Sequence, residues 1–133
     1  MARRGPRWLV VGSERFAWSI SHAHDSRDED SANGRWIGCR ELVRLRRDGA
    51  RGQLVVVFMA GNGHLVADGL MHRGEVQHAD GRGLNLNEPG VVRALLDEAL
   101  SRGWQADVPG RSEIDGWLLI DAVTARRANV VSG

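Results

Sequence analysis

Apolar and polar positions alternate through much of the first sixty residues, and the period then changes. From Arg15 to His22, the residues Phe16, Trp18, Ile20 and His22 take one face and Arg15, Ala17, Ser19 and Ser21 the other. That two-residue period is the mark of a half-buried strand. Trp8 to Val11 is a shorter apolar run, broken by Gly12-Ser13. Trp36 to Arg46 reads as a third strand, Asp48-Gly49 and Gly52 as a turn, and Gln53 to Ala60 as a fourth strand. A hairpin across Asp48-Gly49 sets Leu45 near Leu54, Val43 near Val56 and Glu41 near Phe58. A tight turn at Gly12 to Glu14 places Val11 and Leu9 beside Phe16 and Trp18. One inner face results, apolar except for Glu41.

After residue 85 the period becomes helical. Val91, Val92, Leu95, Leu96, Ala99 and Leu100 form one apolar stripe. Asn87 offers an N-cap acceptor, Glu88 a first-turn charge, Pro89 an N-terminal start and Gly103 a C-terminal stop. The pattern predicts an α+β fold: an antiparallel meander sheet of four to six strands packed on one main helix at about 88–102. Gly116 to Val123, with Trp117, Leu118, Leu119 and Ile120, reads as a buried final strand. Residues 1–124 then make one domain, and 125–133 a frayed tail. Between the fourth strand and the helix, His64 to Ala67 and Leu70 to Arg73 can pair across Asp68-Gly69, or the whole stretch 61–85 is an irregular excursion.

The fourth strand changes the picture of the sheet. Leu54 to Met59 is apolar without alternation, so both of its faces ask for cover, and one helix supplies only one. The outer phase of the neighbouring strands carries Trp8, Val10, Trp36 and Leu42 beside Arg40, Arg44 and Arg46. That mixture suits an aromatic–arginine interface better than a sealed core.

Composition adds limits. The chain has 133 residues, 42% hydrophobic and 26% charged, enough for a core without metal or disulfide support. All 18 basic residues are arginine, which GC-rich coding favours and which phosphate or carboxylate recognition also selects. Seventeen carboxylates offset them to a net charge of +1, so nucleic-acid binding through the arginine row is a lesser reading. The single cysteine, Cys39, fits a reducing compartment. With no apolar run long enough for a membrane span or a secretory signal, the expected location is cytoplasmic.

The chemistry-bearing residues form loose groups. His22 and His24, two apart on a strand, can both reach one metal ion, with Asp25 or Glu29 as an oxygen ligand. The acidic loop residues Asp25, Asp28, Glu29 and Asp30 do not follow the calcium-loop pattern. Glu41, alone among apolar neighbours, needs an Arg or His partner or a raised pKa, and is a general acid/base candidate. His64, His72 and His78, with Asp68, Glu75 and Asp80, gather into a cluster only if the glycine-rich stretch folds back. No phosphate loop and no nucleophile elbow is present.

The stretch Leu86-Asn87-Glu88-Pro89-Gly90-Val91-Val92-Arg93-Ala94-Leu95-Leu96, continued by Ala99-Leu100 and Gly103-Trp104, resembles the ending of small uncharacterised bacterial proteins. Those proteins carry a few N-terminal strands, then a proline-capped helix of Leu-Val-Arg-x-Leu-Ile type closing on Ala-Leu-x-x-Gly-Trp. Here Glu88-Pro89 and an extra Gly90 stand in place of their Thr-Pro opening. The resemblance covers some twenty residues and implies a strand-then-helix order and an actinobacterial-like origin, with no activity and no catalytic residue.

The expectation is therefore a small cytoplasmic interaction or accessory module, more a binder than an enzyme. It self-associates as a homodimer or binds a protein partner through Trp8, Trp36, Arg40, Arg44 and Arg46, with no cofactor and no membrane. The alternative is a metal-dependent or acid/base enzyme using His22, His24 and Glu41.

Overall fold

The computed structural model describes residues 7–27, 36–66 and 74–132. It is a mixed α+β fold. The strands are β1 (Arg7–Val11), β2 (Glu14–Ala23), β3 (Ser26–Arg27), β4 (Trp36–Ile37), β5 (Arg40–Arg47), β6 (Gly52–Met59), β7 (Leu65–Val66), β8 (Glu75–Gln77), β9 (Gly83–Asn85) and β10 (Gly110–Asp115). The helices are α1 (Pro89–Ser101) and α2 (Ile120–Ser132), the second entered through a 3-10 turn at Gly116–Leu119. A five-stranded sheet runs in the order β1-β2-β5-β6-β10; β3 pairs with β4, and β7-β8-β9 make a small third sheet.

The front of the main sheet has the register that alternation and turns predict. Leu45 pairs with Leu54, Val43 with Val56 and Glu41 with Phe58 across the β5–β6 hairpin. In the β1–β2 hairpin Leu9 faces Phe16, while Trp18 lies opposite Arg7 and Val11 opposite Glu14. The inner residues Leu9, Phe16, Trp18, Val43, Leu45, Leu54, Val56 and Phe58 join the apolar stripe of α1 in one core. Val66, Val76 and Leu84 of the small sheet, and Ile120 and Val123 of α2, belong to the same cluster.

Helix α1 matches its sequence signals apart from one shift. Pro89 opens it, but the N-cap is Glu88, whose side chain makes no capping bond. Asn87 instead accepts from Arg7, whose Nη1 donates to the Asn87 carbonyl at 3.0 Å. At the other end Gly103 takes φ +105°. The N–H of Gly103 donates to Leu100 O at 3.1 Å and that of Trp104 to Ala99 O at 3.0 Å, the paired bonds of a glycine-stopped helix.

Two expectations fail. The final strand is not 116–123; it is Gly110–Asp115, and it lies parallel to β6, with Ile114 opposite Val56. The run Trp117-Leu118-Leu119-Ile120 suits a buried strand or a buried helix equally by hydrophobicity. Asp115 decides it: its Oδ1 accepts the Trp117 N–H at 3.0 Å and so caps the turn. Leu118 then points outward, 67% exposed, while Trp117, Leu119, Ile120 and Val123 are buried. Second, residues 125–132 continue α2 and are not a frayed tail. Arg126 bonds Glu98 at 3.1 Å and Arg127 bonds Glu88 at 2.8 Å, tying α2 to α1. In the stretch 61–85, Leu65 and Val66 pair with Gln77 and Val76. Residues 67–73 themselves lie outside the described residues.

Candidate functional site

Three places bring chemistry-bearing side chains together. The first is the outer face of the main sheet. Strand alternation and register align Trp8, Ala17 and Arg46 in one cross-strand row, and Ser19, Arg44, Val55 and Glu113 in another. A third row holds Ser21, Leu42, Val57 and Asp115. On β2 every outward residue from Ala17 to Ala23 is small. Leu42 and Val55 are 5% and 0% exposed, yet neither joins the inner core. A groove of about 480 Å³ lies along this face, lined by Leu42, Val57 and Met59 with Arg40, Arg44 and Arg111 and the carboxylates Asp25 and Glu113.

The arginines of that face are not equivalent. Arg40 donates to Asp25 at 3.1 Å and to the Gly38 carbonyl at 2.7 Å. Arg111 pairs with Glu113 at 2.7 Å. Arg44 donates only to the neutral hydroxyl of Ser21, and Arg46 is exposed. Neither has a carboxylate partner among the described residues. Trp8 is 46% exposed and carries the Arg15 guanidinium 4.2 Å from its ring centre. The backbone of Trp36 lies in β4, and its side chain is outside the described part of the structure.

The second place is the inner end of β2 and β5. His22 lies opposite Glu41 in the register, and His22 Nδ1 is 2.6 Å from Glu41 Oε1. Glu41 is wholly buried. A carboxylate out of water needs donors, and the imidazole N–H is one. With Nδ1–H directed at the carboxylate, Nε2 is left with the lone pair. The His24 ring centre is 5.8 Å from that of His22. Asp25, expected as a third ligand, is instead committed to Arg40. Among the described residues no group of three or more His, Cys, Asp or Glu side chains is arranged to hold a metal ion. Asp28, Glu29 and Asp30 lie outside the described residues.

The third place is a pocket of about 580 Å³ at the C-terminal ends of the parallel strands β6 and β10. His64 stacks on Trp117 with ring centres 4.4 Å apart, and His78 lies 4.5 Å from His64. Trp117 is fixed by its indole N–H to the Met59 carbonyl at 2.8 Å and by the edge of Phe58 at 5.0 Å. His64 Nδ1 accepts the Ala79 N–H at 2.9 Å, so its proton sits on Nε2. His64 and His78 thus do meet, as the fold-back of the glycine-rich stretch requires. Asp80 joins them 3.1 Å from His78, though Arg82 is its main partner and holds its carboxyl well below the usual carboxylate range. His72 and Asp68 lie outside the described residues. Trp117 has no sequence signal of this role beyond Asp115-Gly116 two residues before it, a capping acid that the apolar run conceals.

No known protein family, curated protein or solved structure matches this chain.

Proposed function

We propose that this chain is a small cytoplasmic interaction module that binds an acidic, extended protein segment on the outer face of its sheet. The observation behind it is the groove whose accessible apolar lining, Val57 and the half-exposed Met59, lies beside Arg44, with Arg46 two residues on along β5; neither arginine has a carboxylate partner among the described residues. Apolar floor and unneutralised arginine rim are the two halves of a polar-rimmed binding patch. An extended segment that alternates carboxylate and aliphatic residues would meet both, its acids forking onto Arg44 and Arg46. A second copy fits less well. A twofold axis centred on β5 sets Arg44 and Arg46 against their own images, and like charges across an interface cost affinity. Long nucleic acid also fits less well, because the net charge of the whole chain is only +1.

The test is panning of a displayed library of extended peptides rich in Asp, Glu, Val and Leu against the wild type, followed by counter-selection on Trp8→Ala/Arg46→Glu. Enriched acidic peptides that lose at least tenfold affinity on the variant support the proposal, a loss of about 1.4 kcal/mol or more. No enrichment, or equal binding to the variant, rejects it.

The His22–Glu41 contact favours a second reading, a general base at His22. A buried carboxylate behind Nδ1 orients the imidazole and leaves Nε2 to take a proton. His22→Ala removing a hydrolytic activity found by substrate screening, with folding intact, would favour that reading.

A further inference from the structure

We propose that the pocket at the ends of β6 and β10 binds an uncharged phenolic ring, with the Nε2–H groups of His64 and His78 donating to its hydroxyl oxygen. Binding of the ring does not depend on the acidic-segment reading, although the two sites meet on one surface. Val57, Met59 and Glu113 line both the groove and the pocket.

One stretch of backbone turns the two imidazoles the same way. His64 Nδ1 accepts the Ala79 N–H at 2.9 Å, and His78 Nδ1 accepts the next one, that of Asp80, at 3.1 Å. Asp80 Oδ1 also lies 3.1 Å from His78 Nδ1, but it receives the Arg82 N–H at 3.0 Å, so Nδ1 is the acceptor. A neutral imidazole that accepts at Nδ1 carries its proton on Nε2. Both Nε2–H groups therefore face away from residues 79 and 80, and neither has a protein partner among the described residues. The rings are 4.5 Å apart, and stacking on Trp117 holds that of His64 in place. Two donors side by side on the wall of one cavity call for an oxygen acceptor.

The rest of the lining selects what carries that oxygen. Glu113 and Asp115 border the same cavity, so an anion meets repulsion there and an uncharged oxygen does not. A phenolic oxygen accepts two hydrogen bonds and donates one. The histidines supply the two donors, and either acid supplies the acceptor. Asp115 Oδ1 is taken by the Trp117 N–H and Glu113 Oε1 by Arg111, while the second oxygen of each has no partner among the described residues. The ring lies against Met59, Ile114 and Leu118, and Leu118 is 67% exposed. A volume of about 580 Å³ falls in the range of small-ligand pockets, whose lining is likewise an apolar wall with a few placed polar groups. The chain has no tyrosine to fill the site from within. The ring comes either from a free phenol or from a tyrosine of a segment lying in the adjoining groove.

The probe is N-acetyl-tyrosinamide, titrated by NMR against the ring-proton signals of His64 and His78 and the indole N–H of Trp117. N-acetyl-phenylalaninamide, p-cresol and benzoate are titrated alongside. Saturable shifts of those signals are expected, with the tyrosine compound bound at least about fivefold more tightly than the phenylalanine one. His78→Ala is expected to weaken binding by a similar factor. Leu118→Ala, on an exposed side chain, is expected to weaken it with the thermal midpoint unchanged. Equal affinity of p-cresol and the tyrosine compound makes a free phenol the source, and tighter binding of the tyrosine compound makes it a peptide side chain. No saturable shift up to the solubility limit, equal binding of the phenylalanine compound, preference for benzoate, or full affinity in His78→Ala overturns the proposal. None of these titrations uses an acidic peptide, so a failed panning experiment leaves their result standing.

Discussion

At the scale of single residues, two buried positions, Glu41 and Gly116, shape the candidate sites. Glu41 is a carboxylate with no exposed surface, and its His22 partner follows from the cross-strand register alone. Gly116 does the equivalent for the pocket. A Cβ there would lie 2.4–2.6 Å from three atoms of the Phe58 ring, the ring whose partner is Trp117. Its φ is not positive, so the constraint is purely steric. Gly116→Ala is expected to lower stability by about 1–3 kcal/mol through overpacking. Urea unfolding checks it: a lower midpoint at unchanged slope is predicted, and an unchanged midpoint would show that Phe58 is not confined as described. Glu41 was legible in the sequence because it interrupts an alternation that is otherwise apolar. Its partner could have been read too, since His22 continues the inner phase of β2. That step required laying the β2 register on β5, and no tight turn links those strands to set it.

At the scale of elements, local signals decided most outcomes. The β5–β6 hairpin was readable because Asp48-Gly49 sets a turn and alternation on both sides sets the phase. Helix α1 was readable because Pro89, a helical stripe and Gly103 agree. The C-terminal third was misread because Gly116 to Ile120 is apolar at every position but its first, and such a run carries no period. A parallel neighbour for β6 was equally hidden, since β10 is a six-residue strand carrying Arg111, Glu113 and Asp115. What holds α2 against α1 is polar as well as apolar. Glu98 accepts from Arg102 at 3.0 Å on its own helix and from Arg126 at 3.1 Å across the helix pair. The Arg102 hydrogen bond first, and then that of Arg126, hold its carboxyl below the ordinary glutamate value of 4.5. A carboxylate whose pKa is lowered by folding stabilises the fold fully above its unfolded pKa. That stabilisation is lost as pH falls through the folded one. Glu98→Gln is therefore expected to show a smaller fall in thermal midpoint between pH 7 and pH 3 than the wild type. Equal falls would mean that these bonds carry no pH-dependent stability.

At the scale of the whole molecule, the sheet is two-faced. Its inner face is closed by α1, α2 and the small β7-β8-β9 sheet, which share one core with it. Its outer face carries the small residues of β2, the Leu42–Val55 strip and arginines with and without partners. No described helix is long and apolar enough to cross a membrane. The arginine row argues against self-pairing on this face, so light scattering across a hundred-fold concentration range is predicted to give the mass of a monomer throughout. A dimer that Trp8→Ala/Arg46→Glu weakens would make the second copy the occupant of the groove. The most direct measurement is the calorimetric affinity of a panned acidic peptide for the wild type and for Arg44→Ala/Arg46→Ala, each between 50 and 500 mM salt. A peptide held by those two arginines binds the wild type at least tenfold more tightly at low salt, and the gap narrows as salt screens the contact. Equal affinities for the two proteins at every salt concentration would contradict the assignment of the outer face as the binding surface.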